Sequence, residues 1–144
     1  MIAVDTNLLV YAHRSGLPER AAALRALERA CNDPRGRGVP LPRLVESWSV
    51  VTHPSSSGRP SRCAEARAFA NNLIEEAGGV LWVAGAGFGK RLFELAEDLG
   101  VAGPRIFDLQ IALIASDNGA TEVRTHDRGF LEVPGLRVVD PLGP

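Results

Sequence analysis

Apolar residues fall along this chain in short runs and spaced stripes. Ile2, Ala3 and Val4 form an unbroken triplet, the mark of a short buried strand. Asp5, Thr6 and Asn7 follow at once, and apolar residues resume at Leu8. The resumed series predicts a helix over Leu8–His13 capped by Thr6 or Asn7. After Pro18, Glu19–Cys31 carries Ala23, Leu24, Leu27 and Ala30 or Cys31 at helical spacing. Asn32–Gly38 reads as a loop and Val39 as a brief strand. Leu41–Thr52 is a helix with Leu44, Val45, Trp48 and Val51 on one face, stopped by Pro54. Ser55–Gly58 is a flexible connection. Pro60 and Ser61 open a helix that runs to Ala77 and ends at Gly78 and Gly79. Val80–Val83 reads as a buried strand, Lys90–Leu99 and Arg105–Asn118 as helices closed by Gly100 and Gly119, and Glu122–Thr125 and Arg137–Val139 as strands.

Short apolar strands separated by helices imply an α/β fold: a short, mainly parallel, twisted sheet with helices on both faces. At 144 residues the chain suits a single domain, residues 1–144, large enough to fold without disulfide or metal. Cys31 and Cys63 share no metal-ligand or C-x-x-C spacing, so both are expected as reduced thiols. No apolar run reaches membrane-spanning length. The N-terminus lacks a basic flank and Asp5 interrupts its apolar stretch, so no signal peptide is expected and the cytoplasm is the expected location.

In open parallel sheets, ligands bind beyond the carboxyl ends of the strands, and there the acids become informative. Most of the 17 acidic residues lie on polar helix faces. Four do not. Asp5 ends the first strand, Glu46 sits among Val45, Trp48, Val50 and Val51, Asp108 stands in the first turn of an apolar helix, and Asp127 follows the strand that ends at Thr125. Burying a carboxylate costs several kcal/mol without compensation. The topology brings Asp5 and Asp127 to one sheet edge and turns the N-terminus of the Asp108 helix toward it. A divalent cation would relieve the repulsion, and hard oxygen donors favour Mg²⁺ or Mn²⁺ over zinc. Each acid also has an ordinary reading. Arg43 precedes Glu46 by three residues and Arg105 precedes Asp108 by three, the spacing of helix-surface ion pairs, and Asp5 and Asp127 could cap helices.

The motifs "VDTNLLVYA", "LVESWSVVTHP", "IFDLQIALIA" and "VRTHDRGF", in this order and at these distances, resemble the PIN domain and, within it, the VapC-type toxins of toxin–antitoxin pairs. The resemblance spans nearly the whole chain. It implies an acidic quartet at Asp5, Glu46, Asp108 and Asp127 that is both catalytic and metal-binding, with Thr6, Asn7 and Thr125 as supporting polar groups. It implies Mg²⁺-dependent (Mn²⁺ possible) hydrolysis of RNA phosphodiester bonds, with 5′-phosphate and 3′-hydroxyl products. It further implies a homodimer and a VapB-type antitoxin partner. A nuclease of RNA processing or quality control, and a non-catalytic partner-binding module on the same fold, are the alternatives.

Charge is compatible with an RNA substrate. Setting the quartet aside leaves 13 acids against 16 basic residues, a surplus of three positive charges. Arg14, Arg59, Arg62 and Arg128 lie in predicted loops or helix starts as candidate phosphate contacts. Other chemistries fail on residue type. "VAGAGFGKR" has Ala84 where a P-loop needs glycine, and Arg91 where it needs a hydroxyl. A haloacid-dehalogenase-type phosphatase would need an aspartate at Asn7. His13, His53 and His126 are too scattered for zinc.

Overall fold

A computed structural model describes residues 1–14, 16–55, 59–76 and 80–143. The elements run β1 (Ile2–Val4), α1 (Thr6–His13), α2 (Arg20–Cys31), β2 (Arg37–Pro40), α3 (Leu41–Thr52), α4 (Cys63–Asn71), β3 (Val80–Trp82), α5 (Phe88–Leu99), α6 (Arg105–Asp117), β4 (Glu122–Arg124) and β5 (Arg137–Val139). A π-helical turn, Asn72–Glu76, continues α4. The five strands form one parallel sheet in the order β3-β2-β1-β4-β5.

The sheet separates two apolar layers, as alternation along β1 requires. Ala3 packs with Leu92, Leu109, Ile111 and Val123 on the side of α5 and α6. Val4 packs with Leu8, Leu9, Ala23, Leu27 and Val39 on the side of α1 and α2. Because β1 is central, both its faces are covered, which is why Ile2–Val4 is apolar throughout. Gly38 in β2 is a forced choice. A Cβ there would run into the indole of Trp82 on the adjacent strand.

Several expected boundaries move. The cap of α1 is Asp5, whose carboxylate accepts the Thr6 N–H, so the helix begins at Thr6 rather than Leu8. The segment expected as loop up to Gly38 gives its last two residues to β2. The helix expected from Pro60 to Ala77 starts at Cys63 and yields to the π turn after Asn71; Ala77, Gly78, Gly79 and, of Ser55–Gly58, residues 56–58 lie outside the described residues. Val80–Val83 is not a buried strand. It is an edge strand in which Trp82 is buried while Val80 and Val83 are largely exposed. Helix α5 begins at Phe88, two residues early, after Gly87 in the left-handed region (φ 75°). Gly89 is therefore helical, and the glycine-rich stretch builds no phosphate-cradling loop.

The stripe on α3 is the largest departure. Its buried residues are Arg43, Leu44, Ser47 and Val51, whereas Val45 and Trp48, expected to face the core, are 58% and 38% exposed. A polar edge of α3 has turned inward, and the reason is the site beneath it.

Candidate functional site

The carboxyl end of β1 sets the geometry. Register pairs Val4 with Arg124 across β1 and β4, so the next residues, Asp5 and Thr125, stand side by side. The Asp5 N–H donates to the Arg124 carbonyl (3.1 Å). The Thr125 hydroxyl donates to Asp5 Oδ2 (2.6 Å). That hydroxyl accepts in turn from the Asn7 amide (3.3 Å) and from the Asp127 N–H (3.0 Å). Asn7 Oδ1 accepts the His126 N–H (3.1 Å). One short network thus fixes the start of α1 to the loop after β4, and it joins Asn7 and Thr125, both expected as supporting groups, to Asp5 and to the His126 and Asp127 N–H groups.

Arg43 joins the remaining acids. From the first turn of α3 its Nη1 donates to Glu46 Oε2 (2.7 Å) and its Nη2 to Asp108 Oδ1 (2.8 Å). Its Nε lies 2.6 Å from Asp5 Oδ1. The Nε–H does not point at that oxygen and finds no other acceptor, so this contact is an ion pair rather than a hydrogen bond. The guanidinium also lies 5.8 Å from the Phe130 ring centre, a cation–π contact. Thr6 adds a second link: its hydroxyl is 3.1 Å from the Arg43 carbonyl and 3.4 Å from Glu46 Oε2.

The four acids differ in their surroundings. The Asp5 side chain is 5% exposed, that of Asp108 18% and that of Glu46 50%. Asp127 is exposed, and its Oδ1 accepts the Gly129 N–H (2.9 Å). Asp108 Oδ2 accepts the Leu131 N–H (3.3 Å). Burial pushes the Asp5 carboxyl above the usual aspartate range. Arg43, the Thr125 hydroxyl and the Thr6 amide pull the other way, and Glu46 adds to the rise. Burial also works against the charge of Arg43, but its carboxylate neighbours outweigh that cost and hold its proton more firmly than in free arginine.

A cavity of about 370 Å³ opens over this cluster, lined by Asp5, Thr6, Asn7, Val10, Tyr11, Arg43, Glu46, Val50 and Asp127. Three of the four sequence-identified acids line it, and Arg43 bridges to the fourth, Asp108. The donor set is of hard oxygens, suited in kind to Mg²⁺ or Mn²⁺. Among the described residues, however, no three Asp, Glu, His or Cys side chains are spaced as ligands of one metal ion. A guanidinium stands between the carboxylates instead.

The other candidates fall elsewhere. Arg14 donates to the carbonyls of Val51 (2.8 Å) and Arg59 (2.5 Å). Arg59 and Arg62 pair with Glu65. Arg128 is exposed beside Asp127. Two features went unread in the sequence. One is the central position of Arg43, which i,i+3 spacing to Glu46 suggested as a surface pair. The other is the His126–Asp140 contact (2.9 Å), which packs edge-on against Tyr11. The motif around His126 gave no signal for a partner 14 residues on.

Comparison with known proteins places these features in a family context. A family model described as the PIN domain matches residues 2–136. Ribonuclease VapC43 of Mycobacterium tuberculosis is 33% identical over 142 residues, covering 99% of this chain and 96% of that protein. Among solved structures, VapC20 of M. tuberculosis, described as a sarcin–ricin loop cleaving toxin, superposes with a TM-score of 0.66 at 17% identity, over 92% of this chain and 98% of that one. VapBC2 of Rickettsia felis, bound to a DNA fragment from its promoter, gives 0.61 at 19% identity over 96% and 98%.

Proposed function

The chain belongs to the PIN-domain family and, within it, to the VapC ribonucleases, and from that premise we propose that it is a divalent-metal-dependent endoribonuclease acting as the toxin of a toxin–antitoxin pair. The observation that carries this reading is the convergence of Asp5, Glu46 and Asp108, from three separate elements, on one point beside a cavity that Asp127 also lines. Nothing in the packing of an α/β domain calls for such a gathering. Chemistry on a polyanion does.

Asp5 and Asp108 are the candidates for direct coordination of Mg²⁺ or Mn²⁺, with Glu46 and Asp127 completing the set or holding water. When bound there, the ion would supply a more acidic water and offset charge on the phosphate and leaving oxygen. The chain's own residues do the positioning. Thr125 and the Thr6 amide fix both oxygens of Asp5. Asn7 locks the β4 loop, and with it Asp127, to the start of α1.

A path for the RNA strand leads out of the acidic cavity. Val10 and Val50 also wall a neighbouring cavity of about 370 Å³, lined by Arg14, Leu17, Ser49, His53 and Ser55 and by no acid. A phosphate leaving the reaction centre would meet a guanidinium there. Arg59, Arg62 and Arg128 are further candidate contacts.

Partner binding has surfaces to use. Leu41, Val45 and Trp48 are exposed around an apolar groove on α3 and α4, which supports a VapB-type antitoxin as occupant. Phe93 and Phe107 are exposed on α5 and α6, two helices in contact, which supports a homodimer. Among the described residues no helix is long and apolar enough to cross a membrane, in keeping with a cytoplasmic enzyme.

The test is sequencing of RNA ends after brief expression of the intact protein beside Asp108→Asn. New 5′-phosphate ends at defined sites, reproduced in vitro with Mg²⁺ or Mn²⁺ and lost with EDTA, are the expected result. The substitution should reduce them at least about a hundredfold, on the scale of losing a metal-site group. Identical ends from both proteins would refute the assignment. Cleavage without growth arrest would keep the nuclease and move its role to RNA processing.

A further inference from the structure

We infer that Arg43 is a built-in counter-cation of the acidic pocket: its guanidinium holds Asp5, Glu46 and Asp108 together in the metal-free protein and competes with the divalent cation for their oxygens. The inference rests on the metal-dependent reading above and adds to it a residue of this chain that governs metal occupancy.

The geometry is that of a cation surrounded by ligands. Arg43 takes one oxygen from each of three elements: Asp5 Oδ1 at the β1–α1 junction, Glu46 Oε2 on α3 and Asp108 Oδ1 on α6, at 2.6, 2.7 and 2.8 Å. The side chain is 9% exposed, so water does little to screen it. An ordinary i,i+3 surface pair engages one acid and leaves its guanidinium wet. Nη1 and Nη2 hydrogen-bond Glu46 and Asp108, while Nε, whose N–H is not aligned on Asp5, meets that third carboxylate through charge.

The second oxygens of the two more buried acids are also engaged. Asp5 Oδ2 is held by Thr125, and Asp108 Oδ2 by the Leu131 amide. A hard divalent ion held by Asp5 and Asp108, at the roughly 2.0–2.6 Å such ions take to oxygen, would therefore meet Arg43 at the oxygens it grips. Sharing them would set two cations against each other in a buried place, where their repulsion is strong. No metal-spaced trio occurs among the described residues, in line with carboxylates that each meet a different nitrogen of one guanidinium.

Displacement of an internal competitor lowers apparent affinity by the fraction of molecules in which the site is open. Removing Arg43 should therefore tighten metal binding and weaken the metal-free fold. A merely structural arginine, one that only arranges the ligands, predicts the reverse for binding. The test is Mn²⁺ titration by calorimetry of EDTA-treated, desalted wild type, Arg43→Gln, Arg43→Lys and Asp5→Asn, with melting temperatures in EDTA and in Mn²⁺.

We expect Arg43→Gln to bind Mn²⁺ at least about tenfold tighter than wild type, the change for a competitor that fills the site nine times in ten. It should melt lower in EDTA and gain more from Mn²⁺. Arg43→Lys, with one compact charge, should fall between. Equal or weaker binding by Arg43→Gln overturns the proposal while leaving the metal reading intact. Absence of Mn²⁺ binding in wild type and both Arg43 variants, or binding that Asp5→Asn does not weaken, overturns both. Should Arg43→Gln be unfolded in EDTA, recovery of its helical circular dichroism on adding Mn²⁺ supports the proposal. Without that recovery Arg43→Lys decides it: tighter binding than wild type upholds it, equal or weaker binding sinks it.

Discussion

At the scale of single residues, Asp5 answers to two demands. As the residue before α1 it caps the helix through the Thr6 amide, and as a buried carboxylate it needs partners to stay charged. Its second oxygen depends on Thr125, itself almost wholly buried. Thr125→Val keeps the shape and removes the hydroxyl, leaving Asp5 Oδ2, the Asn7 amide and the Asp127 N–H without their shared partner. A buried polar group deprived of its bond costs about 1–3 kcal/mol, and that loss should be read in urea denaturation at pH 7. A variant as stable as wild type would mean that water replaces the hydroxyl and that Thr125 does not position Asp5. The acids were readable in the sequence because carboxylates at strand ends and in apolar helices are conspicuous. Arg43 was not. Its spacing to Glu46 is common on helix surfaces, and the two acids that draw it inward lie 38 residues before it and 65 after, beyond the reach of any local pattern.

At the scale of elements, α3 shows why periodicity alone misplaced a face. Its ends were legible: apolar spacing and the flanking prolines locate Leu41–Thr52 as it stands. The orientation was not, because Leu44 and Val51 are compatible with two stripes. Hydrophobicity favours the one through Val45 and Trp48, whereas the acids at the sheet edge favour the one through Arg43 and Ser47. Ion pairs to Asp5 and Asp108 choose the second and leave the apolar stripe on the surface. Truncation should separate the two faces. Leu44→Ala, inside the core, should cost about 2–5 kcal/mol, whereas Val45→Ala should lie within roughly 0.5 kcal/mol of wild type. Comparable losses at both positions in chemical denaturation would show that Val45 is buried and that the helix is rotated from the orientation described. The edge strand β3 misled for a related reason. An apolar run reads as buried, yet Val80 and Val83 sit exposed at a sheet margin where Trp82, laid over Gly38, is buried and Leu81 is only partly so.

For the whole molecule, the arrangement of charge fixes how stability responds to acid. His13 lies in the interface of α1 and α4, with its Nε2 2.8 Å from the Ser61 hydroxyl and its ring against Phe69. Burial, then Arg14, holds its pKa below the usual histidine value. The unfolded chain therefore takes up this proton first. The stability His13 contributes is full above about pH 6.5 and is lost as pH falls from there toward its folded value. A second set acts lower. Glu122 is buried among Arg35, Arg124 and Arg137. Burial would raise its pKa, but hydrogen bonds from Arg124 and Arg137 outweigh that and depress it. Burial likewise opposes, and His126 with the Leu142 amide overcomes it, at Asp140, which is also depressed. Depressed carboxylates stabilise the fold above their ordinary values, about 4, and that stability goes as pH falls through the folded ones. Asp5, with its pKa raised, works in the opposite sense. The melting temperature should thus decline in two stages, one below about pH 6.5 and a second below about pH 4.5. His13→Gln, which keeps a polar group toward Ser61 but cannot take up a proton, should flatten the first stage and leave the second. An unchanged first stage in that variant, followed by calorimetry across pH 7 to 3, would place the upper transition on another group.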